Sequence, residues 1–407
     1  MAKTRRDFLK QSLMLVSIGG TVPNFLIGTA QAQELRRQAA SGEKRDRILV
    51  VLQLTGGNDG LNTVVPHRDE LYYKLRPGLA VPSDQVLALD KDMGLHPQLR
   101  GLKGLYDNGQ LAIVQNVGYP NPNRSHFRSM EIWHTAKPDV TARSGWLGRF
   151  YEEKIHNEKK PLSAVNLGQE LPLSLVGDKL SIPSIGDPAQ FQLLLSRDPE
   201  RAKAYLRTQS AATGRGHLEF IEQTALSAMA SSEDLQGALR SYSGATQYPA
   251  NALGRNMKLL TQMILADLGT RLFYVSLGGF DTHRQQRNAH ANLLGQLASA
   301  TSAFFSDLKA HGKDKEVLLM TFSEFGRRVS ENGSAGTDHG TAAPLFIAGG
   351  DIRGGLYGEA PDLANLDAGD LRFKTDFRSV YATVLENWMG TPSQNALGAK
   401  YPVLEFV

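Results

Sequence analysis

Side chains that could carry out chemistry fall in five polar loops of the sequence. The loops offer amides, carboxylates, imidazoles and one hydroxyl, and their candidate residues are Asn58, Asp59, Ser125, His126, Asp281, His283, Glu324, Asp338 and His339. Oxygen and imidazole groups without sulfur suit Zn, Mn, Mg or Ca as divalent ions. Two such ions about 4 Å apart can hold a phosphoryl or sulfuryl group during in-line displacement. The residue types therefore favour a metal-dependent reaction on such a group.

Each loop also has a structural interpretation. The glycine-rich run 56–60 could be an ordinary turn, because Asn, Asp and Gly are common turn residues. Asp281 and Ser125 could cap the helices that follow them, and His126 could be a packed ring. Glu324 and the two arginines after it could form a surface ion-pair cluster. What favours chemistry over these alternatives is that all five loops are expected at one edge of the fold.

That expectation comes from apolar runs that alternate with helices. Strands are predicted at 48–54, 111–114, 272–277, 317–322 and 345–348, and helices at 97–108, 256–268 and 289–310. The alternation predicts an α/β fold with a largely parallel sheet, helices on both faces and right-handed crossovers. Ligand sites in such sheets lie beyond the carboxyl ends of the strands. The five loops should therefore meet at one sheet edge.

One stretch of the chain, 150–248, differs from this alternating pattern. It is β-like over 162–185 and then helical and rich in Ala and Gln over 199–242. We expect it to form a cap or insertion on the sheet. Residues 48–407 are then one α/β domain that contains this insertion, preceded by a polar, flexible lead-in over 33–47.

The N-terminus resembles a twin-arginine export signal. Arg5 and Arg6 precede an acidic residue and an aromatic, aliphatic and basic run, and the uncharged segment after them ends in the small-x-small pattern Ala30-Gln31-Ala32. Glycines and a proline interrupt this segment, whereas a spanning helix needs about 20 strongly apolar residues. We predict a signal peptide over residues 1–32, no stable membrane span, and a periplasmic or otherwise exported protein that engages the twin-arginine export machinery.

Composition limits the possible partners. The formal net charge is +4, of which four basic residues and one acidic residue in the first ten contribute 4 − 1 = +3. The protein left after cleavage is then nearly neutral, and it has no basic stripe or module of a nucleic-acid binder. The chain has no cysteine, which excludes disulfides, thiolate metal ligands and cysteine nucleophiles. About 375 residues suffice to bury a core without such cross-links.

Five motifs resemble an exported bacterial family known as domain of unknown function 1501. They are the residues 54–62 (LTGGNDGLN), 119–126 (YPNPNRSH), 278–283 (GGFDTH), 322–327 (FSEFGR) and 338–340 (DHG). Together they span nearly the whole chain after the signal. More distantly, the order of the motifs resembles that of the alkaline phosphatase and sulfatase superfamily, which implies an alkaline-phosphatase-like core.

The superfamily resemblance implies a role for each candidate residue. The metal ligands would be Asp59, Asp281, His283, Glu324 and His339. Ser125 would be the nucleophile, and the substrate anion would be bound by Arg124 or Arg328. The residues that support the ligands from behind would be Asn58, His126 and Asp338, and Asp338 is also an alternative ligand.

Two functions from different classes follow from these motifs. The first is an exported, metal-dependent hydrolase of phosphate or sulfate esters, which would act on a small anionic ester. The second is a non-catalytic binding or assembly protein of the cell envelope on the same fold. The polar groups retained at the sheet edge favour the hydrolase. The spacing favours the alternative, because one residue rather than three separates Asp281 from His283, and Phe325 rather than a histidine follows Glu324.

Overall fold

The computed structural model describes residues 47–155, 163–178, 182, 184–186, 237 and 239–407. The predicted signal peptide and all but the last residue of the lead-in lie outside this part of the chain. Much of the predicted cap at 150–248 also lies outside it.

The described chain contains thirteen strands. In chain order they are β1 (Ile48–Thr55), β2 (Val64–Val65), β3 (Leu87–Ala88), β4 (Gly94–Leu95), β5 (Leu111–Gly118), β6 (Ala164–Leu167), β7 (Leu272–Gly278), β8 (Val317–Phe322), β9 (Ala343–Gly349), β10 (Gly355–Tyr357), β11 (Leu366–Asp367), β12 (Asp370–Leu371) and β13 (Thr375–Asp376). The main sheet has the order β10-β5-β9-β8-β1-β7-β6, with β13 also paired to β5. Two small sheets are formed by β2-β4-β3 and by β11-β12.

The main sheet is parallel except at β9, which runs antiparallel to both β8 and β5. Because β9 is reversed, it begins at the edge where β1, β5, β7 and β8 end. The loop between β8 and β9 thus starts and finishes at that edge. It doubles back on itself through backbone hydrogen bonds from Gly326 N to Thr341 O (2.7 Å), from Arg328 N to Asp338 O (3.0 Å) and from Gly340 N to Gly326 O (2.9 Å). Residues just before β9 therefore share an edge with residues just after the other strands.

The described helices pack on both faces of the sheet. They are α1 (Gly60–Thr63), α2 (Glu70–Leu75), α3 (Arg100–Asp107), α4 (His126–Thr135), α5 (Trp146–Phe150), α6 (Ala252–Leu265), α7 (Gln286–Ala310), α8 (Phe377–Thr383) and α9 (Gln394–Leu397). Short 3-10 turns lie at Pro97–Leu99, Leu173–Leu175 and Asp314–Glu316, and π-helical turns at Tyr151–Ile155 and Val384–Trp388.

Alternate residues of β1 show how the two faces are built. Val50 and Leu52 pack with α3, α6 and α7 in one buried cluster, whereas Leu49 and Val51 pack with α4, α5 and α8 in another. A strand with apolar residues on both faces is typical of the centre of an α/β sheet. The predicted fold class, an α/β fold with a largely parallel sheet and helices on both faces, is confirmed.

The predicted elements correspond closely to the observed ones, with shifts at helix ends. Helix α6 begins at Ala252, before the predicted start, because Asn251 caps it by accepting a hydrogen bond from Gly254 N at 2.8 Å. The structure describes one strand of the main sheet within the predicted cap at 150–248. Ala164–Leu167 pairs in parallel with β7 as an edge strand of the main sheet.

Among the described helices, none has the length and apolar character that crossing a membrane requires.

Candidate functional site

Three imidazole rings converge on one carboxylate oxygen at the sheet edge. Oδ1 of Asp281 lies 3.1 Å from Nε2 of His283, 3.3 Å from Nε2 of His339 and 3.4 Å from Nε2 of His126. The ligand atoms of His126, Asp281 and His339 all lie within 4.8 Å of one another. We call Asp281 and the three histidines the histidine cluster.

Backbone geometry brings the cluster residues together. Asp281 and His283 follow β7, His126 is the first residue of α4, and His339 lies in the returning loop before β9. Gly56, after β1, has a φ of +120°, and a Cβ there would collide with the backbone nitrogen of Asp281. Glycine is therefore required where these two loops approach each other.

The hydrogen bond made by Nδ1 of His339 determines which of its two ring nitrogens carries the proton. Nδ1 of His339 lies 2.8 Å from the carbonyl oxygen of Arg124, which can only accept a hydrogen bond. Nδ1 is therefore the donor, and in the neutral ring Nε2 presents a lone pair to the cluster. Desolvation lowers the pKa of His339, although a smaller opposing effect comes from its bond to the Arg124 carbonyl. This ring is thus neutral at pH 7.

The other two rings are held at Nδ1 by carboxylates. His126 Nδ1 lies 2.9 Å from Oε1 of the buried Glu324, and His283 Nδ1 lies 3.2 Å from Oδ1 of Asp338. Asn332 donates to the same Asp338 oxygen at 3.0 Å. That hydrogen bond, together with His283, holds the pKa of Asp338 below its usual value. Carboxylates behind histidines in this way orient rings that bind metals.

The Nε2 atoms of the three rings, which face Asp281, then need a cation. Nε2 of His283 and Nε2 of His339 lie 2.8 Å apart. Two lone pairs at that distance repel unless a proton or a metal ion lies between them. Partial burial alone would raise the pKa of Asp281, but the hydrogen bond and charge of Arg327 bring it below the usual value, so the group is ionised. Three imidazole nitrogens and one carboxylate oxygen are a donor set that fits Zn²⁺.

Asp59, predicted as the first metal ligand, is not part of the histidine cluster. Its side chain is fully buried and lies 2.6 Å from Arg76 NH1, which is equally buried. It also accepts hydrogen bonds from Gln286 and from the backbone nitrogen of Asn62. Burial alone would raise the pKa of Asp59, but Arg76 lowers it below the usual value. Its position argues against a role as metal ligand, because an arginine already balances its charge.

Glu324 and His126 occupy positions opposite to those predicted for them. Glu324, predicted as a ligand, is buried behind His126 and accepts hydrogen bonds from Gly56 N at 2.9 Å and Ser323 Oγ at 3.3 Å. His126, predicted as a supporting residue, contributes its Nε2 to the cluster. The carboxylate therefore orients the imidazole, rather than the reverse.

Two further predicted site residues lie outside the histidine cluster, Ser125 beside it and Asn58 behind it. Ser125 is exposed at the N-terminus of α4, where its hydroxyl makes no capping hydrogen bond. Asn58, predicted to support the ligands, instead accepts hydrogen bonds at Oδ1 from Nε2 of His290 (2.9 Å) and from the Thr63 hydroxyl (3.1 Å). It belongs to the buried region around Asp59.

The two arginines predicted to bind an anion both approach Asp370. Arg124 forms a close ion pair with it, and Arg328 Nε lies 3.9 Å from it. Both arginines are more than a third exposed, whereas the Asp370 side chain is buried. Desolvation raises the pKa of Asp370, and the two arginines partly offset that rise. The arginines thus lie at the surface with part of their charge already balanced.

A cavity of about 750 Å³ adjoins the histidine cluster. Its lining includes Arg124, Phe325, Arg372 and Lys374. The ring of Phe325 also packs against the cluster, with its centroid 4.8 Å from that of His126 and 4.6 Å from that of His339. Phe325 thus contacts both the cavity and the histidine cluster.

Sequence reasoning missed several residues of this region. Arg327 lies inside the motif 322–327, where the sequence indicates only a possible surface ion-pair cluster with Glu324. Arg76, Asn332 and Asp370 lie outside the five motifs, and no local pattern distinguishes them from ordinary polar residues. Their partners are distant in sequence, so only the folded chain identifies them.

Three solved structures show which proteins the chain is similar to. They are the phosphonate monoester hydrolase SpPMH from Silicibacter pomeroyi (11% identity, TM-score 0.39, covering 88% of this chain and 76% of that one), the PsFucS1 sulfatase from Pseudoalteromonas sp. (12%, 0.38, 95% and 75%) and a protein in the alkaline phosphatase superfamily from Vibrio parahaemolyticus (9%, 0.35, 76% and 62%). These are distant likenesses.

Sequence comparison gives the family. No curated protein sequence matches the chain. A family model does match, over residues 46–395, which include all five motifs that predicted the family. The chain therefore belongs to the family described as protein of unknown function DUF1501.

Proposed function

We propose that the protein is an exported, metal-dependent hydrolase of phosphate or sulfate esters. The observation that carries the proposal is the convergence of three imidazole Nε2 atoms on Asp281 Oδ1, with each ring held at Nδ1 by an acceptor. In this arrangement the neutral form of each ring directs its Nε2 lone pair at one point. A divalent cation satisfies it.

The donor set favours one metal position, with zinc as the ion. Asp281, His126, His283 and His339 would hold it, and nitrogen-rich sites suit Zn²⁺ better than Mg²⁺ or Ca²⁺, which prefer oxygen. Asp59 and Glu324 would stay outside the coordination sphere. When bound, the ion supplies Lewis-acid stabilisation of negative charge.

The chain's own residues would carry out the remaining tasks. The exposed hydroxyl of Ser125 is the nucleophile, placed one residue before His126. Arg124 and Arg328 bind the ester's anionic oxygens, and Asp370 keeps both guanidinium groups in place. The adjoining cavity receives the alcohol part of a small ester.

The alternative is a non-catalytic binding or assembly protein of the cell envelope. One observation favours it: Asp370 already balances part of the charge of the two arginines that would bind an anion. In this alternative the metal would stabilise the sheet-edge loops, and no ester would be turned over.

Metal analysis paired with an ester screen separates the two functions. We expect about one zinc per chain in the purified protein and hydrolysis of an aryl phosphate or an aryl sulfate. Ser125→Ala should abolish hydrolysis and leave the zinc content unchanged, and the exposed Ser299→Ala on α7 should change neither. Undiminished hydrolysis by Ser125→Ala would remove the nucleophile role. Stoichiometric zinc without hydrolysis of any ester would support the alternative.

Export through the twin-arginine pathway is part of the same proposal and rests on residues 1–32. The export machinery reads both guanidinium groups of the signal. Replacing Arg5 and Arg6 by lysine should therefore leave the protein in the cytoplasm with its signal attached. Recovery of that variant from the periplasm in normal amounts would contradict the assignment.

A further inference from the structure

Arg327 lies beneath the histidine cluster with its side chain fully buried. One nitrogen of its guanidinium donates to Oδ1 of Asp281 at 2.7 Å, the same oxygen on which the three imidazoles converge. Asp281 itself is about half exposed. The arginine therefore approaches the carboxylate from the protein side, opposite the solvent.

The other donors of Arg327 bind backbone carbonyls of three different loops. Nε donates to Gly57 O at 2.7 Å, NH1 to Thr337 O at 2.9 Å, and NH2 to Phe280 O at 3.0 Å and to Gly56 O. These carbonyls belong to the loop after β1, the loop after β7 and the loop before β9. One buried side chain thus joins the loops that carry or adjoin Asp281 and His339.

We propose that Arg327 is a positioning residue for the metal centre, holding Oδ1 of Asp281 at the point where the imidazoles converge. This inference rests on the proposed metal-dependent function and deepens it. An arginine is required because a planar guanidinium offers five donors in fixed directions, whereas a lysine offers three donors at a single point.

The surroundings of the pair distinguish positioning from simple stabilisation. A buried guanidinium that serves only stability is best balanced by a buried carboxylate, as Arg76 is by Asp59. Arg327 instead pairs with a carboxylate that faces solvent and three imidazoles. Its charged partner is thus the group that would bind the metal.

The test is Zn²⁺ affinity, measured by chelator competition, for the wild type and for Arg327→Lys. We expect the affinity to fall about 10- to 100-fold, as it does when a residue behind a metal ligand is changed. Arg149→Lys is the matched control, because Arg149 also donates to carbonyls, those of Thr135, Ser144 and Ala396, and Thr135 lies at the end of α4 opposite His126. Its zinc affinity should match that of the wild type.

The same substitution made in the Asp281→Asn variant tests whether Arg327 acts through Asp281. In Asp281→Asn, the further change Arg327→Lys should leave the residual zinc affinity almost unaltered. An equal loss in both backgrounds would show that Arg327 only joins loops, and would overturn the proposal. If Arg327→Lys does not fold, Asp281→Glu moves the carboxylate away from the guanidinium instead. Its zinc affinity should also fall about tenfold, and retained affinity would overturn the proposal.

The same measurements separate this proposal from the proposed function. A wild type that binds zinc tightly but hydrolyses no ester contradicts only the hydrolase. A wild type that binds zinc with an affinity unaffected by Arg327→Lys contradicts only the positioning role. A wild type that binds no zinc overturns both.

Discussion

Two carboxylates follow neighbouring strands at one sheet edge and have opposite surroundings. Asp59 follows β1, is fully buried and pairs with the buried Arg76. Asp281 follows β7, which pairs in parallel with β1, and is half exposed among three imidazoles. The sequence predicts both as metal ligands. The difference shows that the partner of a carboxylate, rather than its place after a strand, decides whether its charge is balanced inside the protein or faces solvent and imidazoles.

The largest expected effect is on the buried carboxylate. Asp59→Asn leaves the Arg76 charge buried without its counterion, and breaking a buried pair in this way costs about 3–5 kcal/mol in the free energy of unfolding. Urea unfolding of the variant and the wild type measures the loss. Asp107→Asn, which breaks the exposed pair with Lys103 in α3, is the control and should cost no more than about 0.5 kcal/mol. A loss below about 1 kcal/mol for Asp59→Asn would remove the contrast between the two carboxylates.

A second effect comes from His290, which lies in the buried region around Asp59. Burial lowers the pKa of His290 to about 4, against an opposing effect of Asp59 and with smaller contributions from His96, Arg76 and Arg327. An unfolded histidine has a pKa of about 6.5 and takes up its proton first as the pH falls. The stability from neutral His290 is therefore present above pH 6.5 and is lost as the pH falls towards 4, by up to about 3 kcal/mol.

Unfolding in urea at several pH values between 4 and 7.5, in the presence of a chelator, measures this dependence. His290→Gln should flatten it, because one fewer histidine takes up a proton on unfolding. An identical pH dependence in the variant and the wild type would mean that the folded protein protonates His290 as readily as the unfolded chain.

The smallest expected effect on the metal-free protein is at Asp281. Because this carboxylate is half exposed and Arg327 keeps its hydrogen bonds to backbone carbonyls, Asp281→Asn should cost less than Asp59→Asn in the free energy of unfolding without metal, about 1–2 kcal/mol. The part of the free energy of unfolding that comes from zinc binding should change more. Zinc at 100 times its Kd stabilises the wild type by about 2.7 kcal/mol, and the variant should lose most of that gain. Thermal unfolding with and without zinc gives both quantities, and equal zinc stabilisation of variant and wild type would contradict the assignment of Asp281 as a ligand.

The sheet and its helices could be predicted because their signals are local. The apolar run of β1 and the alternation of strands with helices determine the fold class, whichever residues pair across the sheet. The reversed direction of β9 could also be predicted from the sequence. No helix is predicted between β8 and β9, and a parallel connection usually needs one.

The arrangement of side chains within the site could not be predicted in the same way. Whether Glu324 or His126 points at Asp281 depends on where β8 ends relative to the first turn of α4, since the two residues are 198 positions apart in the sequence. The partner of Asp59 is Arg76, just beyond the end of the short helix α2, and nothing in the sequence near either residue indicates the pair. The residue types in the motifs indicate the candidate site, whereas the orientation and charge balance of its side chains depend on the fold.

The returning loop between β8 and β9 also bears on the order in which the site forms. Glu324, Arg327, Asp338 and His339 lie on this one loop, and its backbone hydrogen bonds close over short sequence distances. Short loops close with a small loss of chain entropy, whereas contacts between distant segments form late. We expect this half of the site to gain protection from hydrogen exchange early in refolding. His126 and Asp281 would join it only when α4 and β7 dock, so the centre would gain its affinity for metal in the last stage of folding.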